Sequence, residues 1–275
     1  MKPGIYDHMP NAEYHGADGI SKSGLDLIAR SPAHYKYAQD HQRESTDSMD
    51  KGSLVHDLVL EPNHVDERYA VMPASIKQRR GKEYEAFKAS AGERKILTAP
   101  QMEEGRRIAQ AVHTNPVAME IITRATGEGY IEQSVFAEDF GTGMLCKCRP
   151  DIRIGNRLYD LKTTRNAAGR SFAYSARNFR YHVQAAFYMD VCRWAGIEVD
   201  HFGFIAVDTD VMPYQCTVFH DLSPGSMEQG RGLYTADLSL YAQCMESGEW
   251  PGYPDEYQIL DVSGYAYDEL DMEAE

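Results

Sequence analysis

Between Pro150 and Thr164 the chain reads Pro-Asp151-Ile-Arg-Ile-Gly155-Asn156-Arg-Leu-Tyr-Asp160-Leu-Lys162-Thr-Thr. Gly155-Asn156 suits a two-residue hairpin turn. With that turn, Ile154 faces Arg157, and Asp151 falls opposite Asp160. Lys162, two residues further on, shares the face of Asp160. Ile152, Ile154, Tyr159 and Leu161 take the other face and would seat the hairpin on a core. Directly opposed carboxylates repel each other in a bare sheet. A divalent cation between them resolves the conflict, and carboxylate oxygens suit magnesium or manganese. Such an ion polarises a phosphoryl oxygen and lowers the pKa of a bound water. Lys162 would then position that water or stabilise charge developing on the phosphate. On spacing alone, a surface hairpin with its charges in water accommodates the same residues. Pro150, which has no N–H, marks a bulge or an edge position.

The elements around this segment must hold it in place. Ser21 to Tyr37 reads as a helix, with Ser21 or Ser23 as N-cap and a break at Ser31-Pro32. Further helices are expected over Lys51–Leu60, Lys82–Ala91 and Pro100–His113, with loops at 43–50 and 78–81. From Tyr130 the pattern changes to strands: Ile131–Ala137, Leu145–Ile154 and Arg157–Thr163. A long helix from Ser171 to Trp194 follows, then strands Phe202–Val207 and Tyr214–Phe219 and a last helix Ser226–Glu246. This order predicts an α/β fold with a central mixed β-sheet flanked by helices, plus an N-terminal helical region. The chain of 275 residues is expected to form a single domain. Residues 1–125 would be mainly helical, 126–250 would carry the catalytic sheet, and 251–275 would be an acidic tail.

Composition narrows the classes. No apolar run approaches the ~20 residues of a membrane span, and Met1-Lys2-Pro3-Gly4 lacks a signal-peptide core, so a cytoplasmic location is expected. Five scattered cysteines argue against a disulfide framework and against a four-ligand zinc or iron–sulfur site. The net charge of −14 opposes nucleic-acid binding unless basic residues are concentrated locally. They do gather, at Lys77–Lys82 and again from Lys147 to Arg180.

Several segments together resemble the RecE-type exonuclease VIII nuclease domain, a RecB-like member of the PD-(D/E)XK superfamily. Pro150-Asp151 with Asp160-Leu161-Lys162 resembles the signature motif. Ile20-Ser-Lys-Ser23 with Ser31-Pro32 and Tyr35 is similar to the family's N-terminal helix. Gly52-Ser-Leu-Val-His56 resembles the helix bearing its metal-binding histidine. Glu132-Gln-Ser resembles the strand with its additional acid, and Gln184-Ala-Ala-Phe-Tyr188 its Gln-x-x-x-Tyr helix, where the two residues share a face. The resemblance implies His56, Asp151 and Asp160 as metal ligands and Lys162 as catalytic lysine. It implies Glu132 as a further acid and Gln184 and Tyr188 as supporting residues. It also implies a Mg2+ cofactor with Mn2+ as substitute, linear double-stranded DNA ends as substrate, and 5′ to 3′ degradation that leaves 3′ overhangs. The partners implied are a RecT-like single-strand annealing protein and further copies of the chain in a ring. A structure-specific endonuclease or flap nuclease shares this core motif, and a catalytically silent DNA-binding recombination protein is the reading from another class.

Outside the motif the candidates have plain readings too. Ser21 and Ser23 either cap a helix or bind a terminal phosphate, with capping the simpler role. Arg79, Arg80 and Arg165 either contact a DNA backbone or stand in water.

Overall fold

The computed structural model describes residues 1–41 and 46–259. The first half contains β1 (Gly4–Tyr6), α1 (Asn11–Gly16), α2 (Lys22–Arg30), α3 (Pro32–Asp40), α4 (Asp47–Leu60), α5 (Val65–Arg68), β2 (Tyr69–Met72), α6 (Lys82–Ala91), β3 (Lys95–Thr98), α7 (Ala99–His113) and α8 (Pro116–Glu128). The second half contains β4 (Tyr130–Ile131), β5 (Ser134–Glu138), β6 (Leu145–Cys148), β7 (Ile152–Ile154), β8 (Arg157–Thr164), α9 (Gly169–Asn178), α10 (Tyr181–Trp194), β9 (His201–Asp208), β10 (Cys216–Phe219) and α11 (Pro224–Ser247). Most of the acidic tail lies outside the described residues.

The central sheet runs β10-β9-β8-β7-β4 and is mixed. Strands β8 and β9 are parallel, and the other neighbours are antiparallel. A parallel pair needs a crossover, which α9 and α10 provide. Alternation along the strands builds two cores. Leu158, Phe202, Phe204 and Ala206 face α10 and α11, against Val183, Phe187 and Leu238. Ile152, Ile154, Tyr159, Leu161, Ile205 and Val207 face α4, α7 and α8, against Val55, Val59, Ile108 and Ile122. The α/β class with a mixed sheet between helices is therefore observed, and the hairpin's apolar face is buried as its sequence predicts.

Several expectations are corrected. The strand expected over Ile131–Ala137 is two strands, and so is the one over Leu145–Ile154. β4 and β7 belong to the central sheet, whereas β5 and β6 form a second antiparallel sheet with β1. The chain changes sheets at Glu132-Gln133 and again at Arg149-Pro150-Asp151. Glu132 has a left-handed φ of 53°, and Pro150 cannot donate to a ladder. The helix expected over Ser171–Trp194 is also divided, because Arg180 adopts φ 56° between α9 and α10. The N-terminal region is mainly helical but includes β1, β2 and β3. The stretch after Asn115, where no helix was expected, forms α8, capped by the Asn115 side chain on the Val117 and Ala118 amides.

Close packing of α10 on α11 depends on Gly230, where an added Cβ would lie 2.2 Å from the His182 carbonyl oxygen. That neighbour is backbone and cannot rotate away. Gly230→Ala is expected to destabilise the fold by roughly 2–3 kcal/mol. Gly232→Ala, two residues along the same helix with open space around it, is expected to be neutral or stabilising by up to ~1 kcal/mol. Denaturant melts of the two variants check the contrast.

Candidate metal and active site

The sheet change sets the site. β7 begins at Ile152, paired with Tyr159, so Asp151 stands just outside the ladder while β8 runs on past it. On that side the Leu161 peptide has no strand to pair with, and buried backbone groups need partners. The Leu161 N–H donates to Asp151 Oδ2 at 2.6 Å. The Leu161 carbonyl accepts from His56 Nε2, also at 2.6 Å. The backbone of one residue thus orients two candidate ligands. With its proton on Nε2, His56 presents the Nδ1 lone pair towards Asp151, 3.6 Å from Oδ2. Such a fixed tautomer is what a metal-ligating imidazole requires.

Glu132 joins from the other sheet change, its N–H donating to the Asp151 carbonyl at 3.1 Å. His56, Glu132 and Asp151 offer ligand atoms that all lie within 4.8 Å of one another. Asp160 stands beside this trio, and its charge is felt at Asp151. Its Oδ1 accepts from Gln184 of α10, and its Oδ2 lies 2.6 Å from Lys162 Nζ. Lys162 also rests over the Tyr181 ring, 4.6 Å from its centroid.

The electrostatics are those of a site short of positive charge. Burial, followed by repulsion from Asp160, pushes the Asp151 carboxyl up to about 6. Burial and the Asp151 charge raise Glu132 well above the usual carboxylate range. Burial disfavours the Lys162 ammonium, but Asp160 and Asp151 outweigh it and its pKa is raised, so Lys162 stays charged. Two carboxylates and an imidazole aimed at one point fit a divalent cation, which would relieve this repulsion. Such an ion would be held by His56, Glu132 and Asp151, with Asp160 adjacent.

Lys162, Gln184 and Tyr188 open onto a cavity of about 1170 Å³, which Ser21, Lys22, Ser23 and Lys147 also line. Ser21 caps α2 by accepting from the Gly24 N–H at 3.3 Å, and it bonds Ser23 at 2.9 Å. Capping is therefore observed, and both hydroxyls also border the cavity. Arg79 and Arg80 bond instead to the Ile96 carbonyl and the Gln78 side chain, and neither lines the cavity. Arg165 is exposed just beyond β8. In the sequence Lys22 stands out only as part of the Ile20–Ser23 motif, and Lys147 only as one basic residue among many. Lys147 donates to the Tyr14 and Ala17 carbonyls at 2.9 and 2.6 Å, and Arg149 to Met9 O at 2.9 Å. Alternating basic residues inside an otherwise apolar strand were the available signal.

An acid with a raised folded-state pKa costs stability wherever it is ionised. For Asp151 the cost is complete above about 6 and is relieved as the pH falls towards its unfolded value near 4. In EDTA at pH 8, Glu132→Gln is therefore expected to melt a few degrees higher than the parent chain, a gain that shrinks at pH 5. Added Mn2+ should raise the parent's melting temperature and the variant's much less. Metal affinity, read by calorimetry, is expected to weaken below about pH 6 as protons compete for Asp151.

Residues 21–262 match the model of a family described as a PDDEXK-like domain of unknown function, DUF3799. A crystal structure of a candidate exonuclease from Eubacterium rectale superposes with TM-score 0.61 at 13% identity, covering 97% of this chain and 98% of that one. A phage-related exonuclease from Haemophilus somnus 129PT gives a TM-score of 0.33 at 13% identity, covering 84% of this chain and 97% of that one. Comparison with curated proteins returns no match. The family model spans most of the chain, and the sheet, flanking helices and clustered acids agree with it: the chain belongs to the PDDEXK-like family DUF3799.

Proposed function

We propose that this chain is a Mg2+-dependent exodeoxyribonuclease that degrades linear double-stranded DNA from its ends, with Mn2+ as a working substitute. The observation that carries the reading is the meeting of His56, Glu132 and Asp151 around one point, with the Asp160–Lys162 pair beside it. The superposed candidate exonuclease from Eubacterium rectale has the same kind of fold, which supports the class of reaction. Degradation from 5′ to 3′, a ring of copies around the DNA and a partner that anneals the resulting 3′ strands belong to the same proposal.

Bound at the trio, a divalent ion supplies Lewis-acid polarisation of the scissile phosphate. The chain's own residues do the rest. His56 keeps its Nε2 proton on the Leu161 carbonyl, so Nδ1 stays available as a ligand. Gln184 fixes the Asp160 carboxylate. Asp160 in turn holds the charged Lys162 ammonium, which stabilises the extra negative charge of the transition state.

Digestion of linear and closed-circular duplex DNA with Mg2+ tests the reading. Loss of the linear form alone, abolished by EDTA and by Asp160→Ala, is the expected result. Cleavage of the circle would replace it with an endonuclease, and no cleavage with any divalent metal would leave only DNA binding. Lys162→Ala is expected to lower kcat by roughly 10²–10³. Activity should also fall steeply with added salt, because a positive groove acts here against a net charge of −14.

A further inference from the structure

From Leu161 to Met189 the chain has no Asp or Glu, yet it carries Lys162, Arg165, Arg170, Arg177 and Arg180. On a chain of net charge −14 this is a local reversal of sign, and α9 lies at its centre. The helix buries Phe172 against Phe204 and Phe219. Its opposite face carries Arg170, Tyr174 and Arg177, spaced by four and three residues and hence aligned. Tyr174 is 51% exposed, and Phe179, just past the helix, is 62% exposed. Among the described residues, the side chains of Tyr174 and Arg177 have no hydrogen-bond or ion-pair partner.

The face leads to the candidate site. The Phe179 ring stacks on Tyr181 with centroids 5.8 Å apart, and Tyr181 lies beneath the Lys162 ammonium. Lys22 of α2, which lines the cavity, donates to the Phe179 carbonyl at 2.8 Å.

We propose that the exposed face of α9, with Phe179, is a platform for single-stranded DNA that guides one strand past Lys162. The identity of that strand, as the one cut or left by the nuclease, rests on the function proposed above. Arg177 meets its phosphates. Tyr174 and Phe179 offer ring faces to unpaired bases, which a paired duplex keeps inside its stack. The exposed ring faces favour an unpaired strand over intact duplex.

The test is fluorescence anisotropy of a labelled oligothymidylate in EDTA, with the full chain and no cleavage. Tyr174→Ala is expected to weaken binding about tenfold. Arg177→Ala should weaken it and reduce the slope of log affinity against log salt by about 0.7. Affinity for a blunt duplex should fall less in both variants. Arg106→Ala, an equal loss of exposed charge on α7, should change little. Unchanged binding in both α9 variants overturns the proposal, as does an equal loss in Arg106→Ala. Loss of duplex affinity as large as that for the single strand overturns it too. If the parent chain digests linear DNA while the α9 variants bind the oligonucleotide normally, the platform fails and the nuclease stands. If the parent cuts nothing but the α9 variants lose single-strand affinity, the platform stands and the nuclease reading fails.

Discussion

The arrangement of the site depends on the backbone of one residue, Leu161. β8 outruns β7, which begins at Ile152, and this leaves the N–H and C=O of Leu161 facing a place where no strand can reach. Buried peptide groups without partners are costly. Asp151 and His56 take the two positions a neighbouring strand would have filled. Leu161 lies between Asp160 and Lys162, so the same residue that orients two candidate ligands also places an acid and a base on the opposite face of its strand. Its own side chain is fixed in the core beneath α4 and α7. The two peptide groups that flank Leu161 therefore link the positions of His56, Asp151, Asp160 and Lys162.

The second constraint is the double exchange between sheets. β4 and β7 belong to one sheet, β5 and β6 to the other. Both crossings fall at the same level, which brings Glu132 against Asp151. Around them the protein spends buried positive charge. Arg149 bonds Ser134 at 2.8 Å and stacks on Tyr14 with 4.3 Å to the ring centroid, and Lys147 binds the carbonyls that end α1. These cations tie the N-terminal segment down beside the acids, and Arg149 offsets only part of the burial and repulsion felt by Glu132. The carboxylates remain crowded, with raised pKa values. Such crowding costs stability locally, and a cation held among these groups would relieve it.

Charge is also distributed on a larger scale. The net −14 would repel a polyanion as a whole, but the run from Leu161 to Met189 contains no acid. It covers the end of β8, all of α9 and most of α10, which are the elements next to Lys162. Net charge describes the average field, whereas a local surface of opposite sign governs where a polyanion can approach.

The sequence by itself determined the elements whose signals are local. The Gly155-Asn156 turn fixed the register Ile154 with Arg157, and strict alternation assigned Ile152, Ile154, Tyr159 and Leu161 to one buried face. Ser31-Pro32 marked a helix boundary, and the cap lay at Ser21 or Ser23, of which the fold uses Ser21. The α/β order with a mixed sheet followed from those signals. Tertiary structure alone decided that two continuous strand patterns would each divide between sheets, because alternation is the same whichever sheet a strand joins. It alone turned Glu132 into the trio with His56 and Asp151 and left Asp160 held by Gln184 and Lys162. It also broke the long helix at Arg180, whose guanidinium is held by Asp237 and lies near Asp26. Those outcomes arise from contacts between residues far apart in the chain. Turn and periodicity rules describe only near neighbours, so spacing could name the acids but not which of them would share a point.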